Sequence, residues 1–308
     1  MIFSVTVPFF ALILFGYVAA RQRWVPTEAV PAFNGFLLFF AVPAMLFRFA
    51  AETPFAEIVN LRFFLAWGAT GIVVVAIVRF IARRMQLNQR DAAFLGLSGA
   101  VANSGFLGVP MLVALLGVRA AAPVILSIVA DLVIVASFGL ALAEAGGATG
   151  RGWRADVRDA ALRILLNPFV ISMLAGATFS GMGWKLMTPA AEIVKLLADA
   201  AGPCALFAIG VSLVRPDAPL RSPVLALPIA AKLLLHPCAA WLVMSAIGMD
   251  GFTRTVATLT AALPSAGWVF IFATRYEADA GKVSATILLT TAFAFATFSA
   301  LAWMLGIG

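Results

Sequence analysis

From Ala92 to Leu116 the chain runs for 25 residues without a charged side chain, and other long stretches are almost as apolar. Such a run constrains a fold more than any motif, because in water it would have to be buried whole. About 20 apolar residues are enough for a helix to cross the hydrocarbon core of a bilayer. Hydrophobic residues make up 63% of the 308 and charged ones 11%, against roughly 45–50% and 25% in soluble domains. The chain therefore reads as an all-α integral membrane protein. Its runs have the length of whole helices, not of the alternating strands of a membrane β-barrel.

Ten spans are expected, at residues 2–20, 31–50, 63–81, 92–117, 121–144, 162–181, 194–214, 223–247, 253–274 and 284–306. Met1 to Ala20 ends in a cleavage-like Val-Ala-Ala, but Arg21 and Arg23 follow the apolar run instead of preceding it. This marks a first transmembrane helix, not a signal peptide. With the N-terminus outside, the inner loops carry 14 Lys and Arg residues and the outer loops 5. That bias follows the positive-inside rule and places both termini on the extracytoplasmic side of the plasma (inner) membrane. The net charge of +7 then reflects orientation, and nucleic acid is not an expected partner. Cys204 and Cys238 lie in apolar runs, with neither a disulfide framework nor metal-ligand spacing.

The two halves resemble each other at an offset of 160. Pro8, Phe9, Leu14 and Gly16 align with Pro168, Phe169, Leu174 and Gly176. At the same offset Ala41, Pro43, Leu46 and Phe47 align with Ala201, Pro203, Leu206 and Phe207. Residues 1–148 form a first repeat, 149–161 a cytoplasmic linker and 162–308 a second repeat. Five spans per half is an odd number, so the second half enters the membrane from the opposite side. Inverted repeats of this kind are typical of secondary transporters, with a midplane site at discontinuous helices.

The fourth span contains ANSGFLGVP (102–110) and the ninth ALPSAGWVF (262–270). Pro110 and Pro264 each remove a backbone donor and strain the preceding turn. Orphaned backbone groups are tolerated at membrane depth only where they line a wet cavity or meet protein. Two broken helices crossing there would aim their N-termini at one spot and favour an anion.

At these residues the chain resembles the auxin efflux carrier family, which includes plant PIN exporters and bacterial permeases. NSGFLGVPML (103–112) resembles its fourth-span pattern through Asn103, Gly108, Pro110 and Leu112. ALPSAGWVFIFATRY (262–276) resembles the ninth-span motif through Phe270, Phe272, Ala273 and Tyr276, and GPCALFAIGVSL (202–213) the seventh span. The resemblance implies a sodium/proton-antiporter-like elevator with crossed helices four and nine, usually a homodimer. Helices one, two, six and seven would form the scaffold, and three to five with eight to ten the transport domain. It also implies a small carboxylate substrate near Asn103. The long central loop of the plant members is missing here.

The remaining polar residues within spans are few. Asn103, Ser104, Gly108, Pro110, Pro264, Ser265 and Gly267 are the candidates for lining the substrate site. A neutral amide such as Asn103 can donate to a carboxylate without burying a charge, and can equally serve as glue between helices. Asp131 is a mid-span carboxylate, which marks a pathway or a relay. It could carry a coupling H⁺ or Na⁺, or neutralise a Lys. Lys232 and His236 share one helix face: Lys232 is a candidate ion-pair partner of Asp131, an anion attractor or a snorkelling residue, and His236 a structural or proton-carrying one. No metal or other cofactor is expected. No paired carboxylates, metal motif or nucleotide loop suggests an enzyme. The leading expectation is a secondary active or facilitative transporter of small organic anions, malonate-like, malate-like or auxin-like. A channel or sensor on the same scaffold is the alternative.

Overall fold

The computed structural model describes residues 2–52, 60–144, 168–212, 214 and 220–307. The expected linker 149–161 and its flanking repeat boundaries lie outside the described residues. The helices are α1 (Ile2–Arg21), α2 (Thr27–Glu52), α3 (Leu61–Arg84), α4 (Gln89–Ala100), α5 (Ser104–Leu116) and α6 (Val118–Glu144). They continue with α7 (Pro168–Met182), α8 (Thr188–Ser212), α9 (Pro223–Ala246), α10 (Gly251–Ala261), α11 (Trp268–Arg275) and α12 (Ala280–Met304). No strand occurs among the described residues. Among the described residues, six helices, α2, α3, α6, α8, α9 and α12, are long and apolar enough to cross a membrane.

The stretches 92–117 and 253–274 are each divided in two. The first piece of each is started by a side-chain cap. Asn88 accepts from the Asp91 amide at 2.8 Å to open α4, and Asp250 accepts from the Thr253 amide at 3.0 Å to open α10. Such caps satisfy amides that the first turn cannot. α4 ends where Val101 turns extended, at φ −84° and ψ 125°. The interruption at 101–103 lies seven residues or more before Pro110. This corrects the expectation that Pro110 breaks the helix. Pro110 sits at the start of the regular part of α5, where a helix has no use for its missing amide. Pro264, by contrast, lies inside the second interruption. The capping residues are 162 positions apart and the interruptions about the same, so the sequence equivalent of Pro264 is near Ala102 and not Pro110.

Four helices contain a π-helical turn: Leu37–Ala41 in α2, Ser104–Gly108 in α5, Asp131–Val135 in α6 and Ala231–Leu235 in α9. One begins at Asp131 and another holds Lys232. Turns of this type cost hydrogen-bond geometry and recur at functional sites.

The chain divides into two compact units. The first comprises Met1–Asn60, Gly105–Leu126 and Arg163–Arg215. Here α1 packs on α8 and α2 on α7, at backbone contact distance. A Cβ on Gly16 would collide with the Phe207 carbonyl, and one on Gly176 with the Phe47 carbonyl. Arg48 of α2 pairs with Glu52 at 3.0 Å and with Asp199 of α8 at 2.9 Å. The second unit comprises Leu61–Ser104, Ser127–Leu162 and Pro216–Gly308. Its core gathers Val74, Val75 and Val78 of α3, Phe94 and Leu97 of α4, Val135 of α6, and Val269 and Ala273 of α11.

Because backbone, not a mobile side chain, blocks the added Cβ, Gly176→Val is expected to cost about 3 kcal/mol or more of stability. Gly35 faces open space, so Gly35→Ala in α2 should be neutral or stabilising by up to about 1 kcal/mol. Thermal unfolding in detergent checks both.

Candidate functional site

The two interruptions lie side by side within the second unit. The Asn103 amide donates to the Pro264 carbonyl at 2.8 Å, and the Ala266 amide donates to the Val101 carbonyl at 3.1 Å. Ala102 and Ser265 thus form an antiparallel bridge. The pairing answers the question of where backbone groups freed by two broken helices go. Ser265 adds a side-chain lock: its hydroxyl donates to the Ser98 carbonyl at 2.6 Å and its amide donates to Thr290 Oγ1 at 3.2 Å. Thr290 in turn donates to the Thr286 carbonyl at 2.7 Å. Ser104 is buried, with its hydroxyl 3.5 Å from the Ala102 carbonyl.

Asn103 is 5% exposed and is held in the pairing by its main-chain amide. Beyond the other interruption, a Cβ on Gly267 would meet nothing within 4 Å. The C-terminal carbonyls on either side already have partners: Ser265 serves Ser98, and Lys232 Nζ donates to the Ala261 carbonyl at 3.0 Å. This leaves the positive N-terminal ends of the following helices to act on whatever binds.

Behind the pairing lies a buried polar array. Trp67 Nε1–H donates to Asp131 Oδ1 at 2.8 Å, and the Ala102 amide also acts on this carboxylate. The Trp67 ring stands 5.3 Å from the His236 ring. His236 Nδ1 is 2.9 Å from Lys232 Nζ. Asp131, Lys232 and His236 are 2%, 0% and 0% exposed, so the snorkelling alternative for Lys232 is excluded. Lys232 makes its hydrogen bonds to Ala261 and His236, not to Asp131. Of the roles open to Lys232, a hydrogen-bonded ion pair with Asp131 is not seen; the two act on each other through their fields. An ammonium only donates, so a charged Lys232 needs Nδ1 as acceptor and puts the imidazole proton on Nε2. Asp131 Oδ2 and His236 Nε2 have no hydrogen-bond partner among the described residues.

Asn103, Ser104, Pro264, Ser265, Gly267, Asp131, Lys232 and His236 all belong to the second unit, whereas Gly108 and Pro110 belong to the first. There the ring of Pro110 lies 3.5 Å from a Cβ built on Gly202, a packing contact between α5 and α8. Sequence reading did not single out Trp67, Ser98 or Thr290. Trp67 carried little signal, since it stands five residues after Arg62, near the end of its apolar run, where Trp is usual; its burial is what calls for an acceptor.

The chain matches the family model described as membrane transport protein over residues 1–151 and 154–304. A relative from Rhizobium meliloti (strain 1021), named "Putative malonate transporter", is 32% identical over 99% of this chain and 96% of its own length. An "Uncharacterized transporter" of Methanothermobacter thermautotrophicus is 26% identical over 91% of this chain and 90% of its own. Another of Methanocaldococcus jannaschii is 24% identical over 96% of each. With both halves matched almost end to end, the chain belongs to the membrane transport protein family, the group of the auxin efflux carriers, and is a multi-pass transporter rather than an enzyme.

Proposed function

We propose that the protein is a secondary transporter of small carboxylates, malonate among them, and that the anion binds at the paired interruptions with its carboxylate on Asn103. The observation that carries this reading is the main-chain pairing of the two interruptions at Asn103 and Pro264, set where helix N-termini favour negative charge. The malonate in the name of the Rhizobium relative supports the substrate class.

The inverted repeat and the elevator belong to the same proposal. Gly16 against Phe207 and Gly176 against Phe47 are the same contact seen twice, since each member lies 160 positions from its counterpart. A pseudo-two-fold relation between the halves produces that exchange. The first unit holds α1, α2, α7 and α8, which suit a fixed scaffold, with Gly105–Leu126 grouped alongside them. The second unit, with the paired interruptions, suits the part that carries the anion. Inner-membrane placement with both termini outside follows from the Lys and Arg bias, and a homodimer from the family pattern.

The test is uptake. Purified protein in liposomes should accumulate or exchange labelled malonate with saturation, and malonate should raise the unfolding temperature. Ion current without saturable malonate movement would point instead to a channel.

A further inference from the structure

We propose that Asp131 is the coupling-proton site, and that its protonation releases the positive charge of Lys232 to the anion held at the paired interruptions. This rests on the reading of the protein as a carboxylate transporter and deepens it.

The surroundings of the carboxylate select a proton over a metal cation. A hard cation needs a shell of oxygen ligands. The groups that reach Asp131 are N–H donors, the Trp67 indole and the Ala102 amide, together with the field of the Lys232 ammonium. Among the described residues no cluster of three or more acidic, His or Cys side chains is present. A cation at Oδ2 would face donors and a like charge. A proton needs only the lone pair that Oδ2 leaves unused.

The charges that act in the array are few. α3 presents Trp67, α6 itself Ser127 and Asp131, α9 Lys232 and His236, and the interruption after α4 the Ala102 amide. Lys232 is the charged group acting on Asp131, Asp131 the one acting on Lys232, and Lys232 the one acting on His236. With Asp131 ionised, the pair is net neutral. An anion arriving at Asn103 would then add unbalanced negative charge to a region with little water, which is costly. With a proton on Asp131, one positive charge remains. It stands on the Ala261 carbonyl, three residues before Pro264, whose own carbonyl holds the Asn103 amide. Proton and anion each improve the site for the other, and linkage makes the effect reciprocal.

The experiment uses full-length protein in liposomes with the membrane potential clamped at zero and malonate as probe. One proton per malonate makes an outside-acid gradient of one pH unit support about tenfold accumulation. Replacing Na⁺ by K⁺ should change nothing. Asp131→Asn should still exchange malonate across the membrane but should no longer accumulate it with the gradient. Trp67→Phe takes a hydrogen bond from the ionised carboxylate and should move the pH dependence of exchange toward higher pH. In parallel, infrared difference spectra against pH, recorded without malonate, should show a protonated carboxyl band. The band should be lost in Asp131→Asn and displaced in Trp67→Phe.

Malonate accumulation in wild type that ignores the gradient, or a gradient response that survives in Asp131→Asn, would overturn the proposal. So would the absence of the infrared band. Protein that shows the band but moves no malonate would retain the proton site and discard the carboxylate reading, so the two failures are separable.

Discussion

Lys232→Met is expected to cost about 3–5 kcal/mol of stability, the usual consequence of removing one member of a buried charge pair. The side chain is fully buried and its ammonium serves two acceptors, the Ala261 carbonyl at 3.0 Å and His236 Nδ1 at 2.9 Å. Methionine fills similar space, so the loss is electrical and not steric. What remains is an uncompensated Asp131 carboxylate and an unserved helix-end carbonyl. Lys232→Met combined with Asp131→Asn removes both charges and should recover most of that loss. Denaturation of the two single variants and the double variant forms a cycle that isolates the coupling. A double variant no more stable than Lys232→Met would show that the two side chains do not sense each other. The double variant should fold and still fail to transport, because the anion has lost its cation.

The second large effect is expected on affinity rather than on stability. Asn103→Ala keeps the main-chain bond to the Pro264 carbonyl, so the unfolding temperature without ligand should barely move. A hydrogen bond to a charged group contributes roughly 1.5–3 kcal/mol. Malonate should therefore bind about tenfold to a hundredfold more weakly, read from the ligand-induced shift in unfolding temperature or from exchange. Unchanged affinity would remove Asn103 from the site. A large loss of stability without ligand would make it helix glue, the other role its sequence position allowed.

The membrane class, the helical segments and the weak points at 102–110 and 262–270 were legible in the sequence because each follows from local chemistry. Apolar length and the Gly and Pro content act over a few residues. The exact site of the first break was not legible. Pro110 is the stronger local breaker, but the chain breaks at Val101–Asn103, where the second interruption offers carbonyl and amide partners. That partnership joins residues more than 160 positions apart and outweighs propensity. The same limit applies to Trp67. Its place within a run is visible, but its bond to Asp131 arises from how α3 packs against α6. An Asp131–Lys232 ion pair was one of the roles their sequence positions allowed, beside ion coupling and attraction of the anion. His236 and the Ala261 carbonyl gave Lys232 better-placed partners.

The bridge at Ala102 and Ser265 is made of main-chain groups alone. The ladder itself does not depend on which side chains flank it, provided that Ser265 keeps the hydroxyl that fastens it to Ser98. Neighbouring positions such as 104, 105 and 267 can therefore be rewritten without dismantling it. Selectivity among anions becomes a separately adjustable property, so variants with a new preference should be obtainable by changing those positions and leaving the ladder intact.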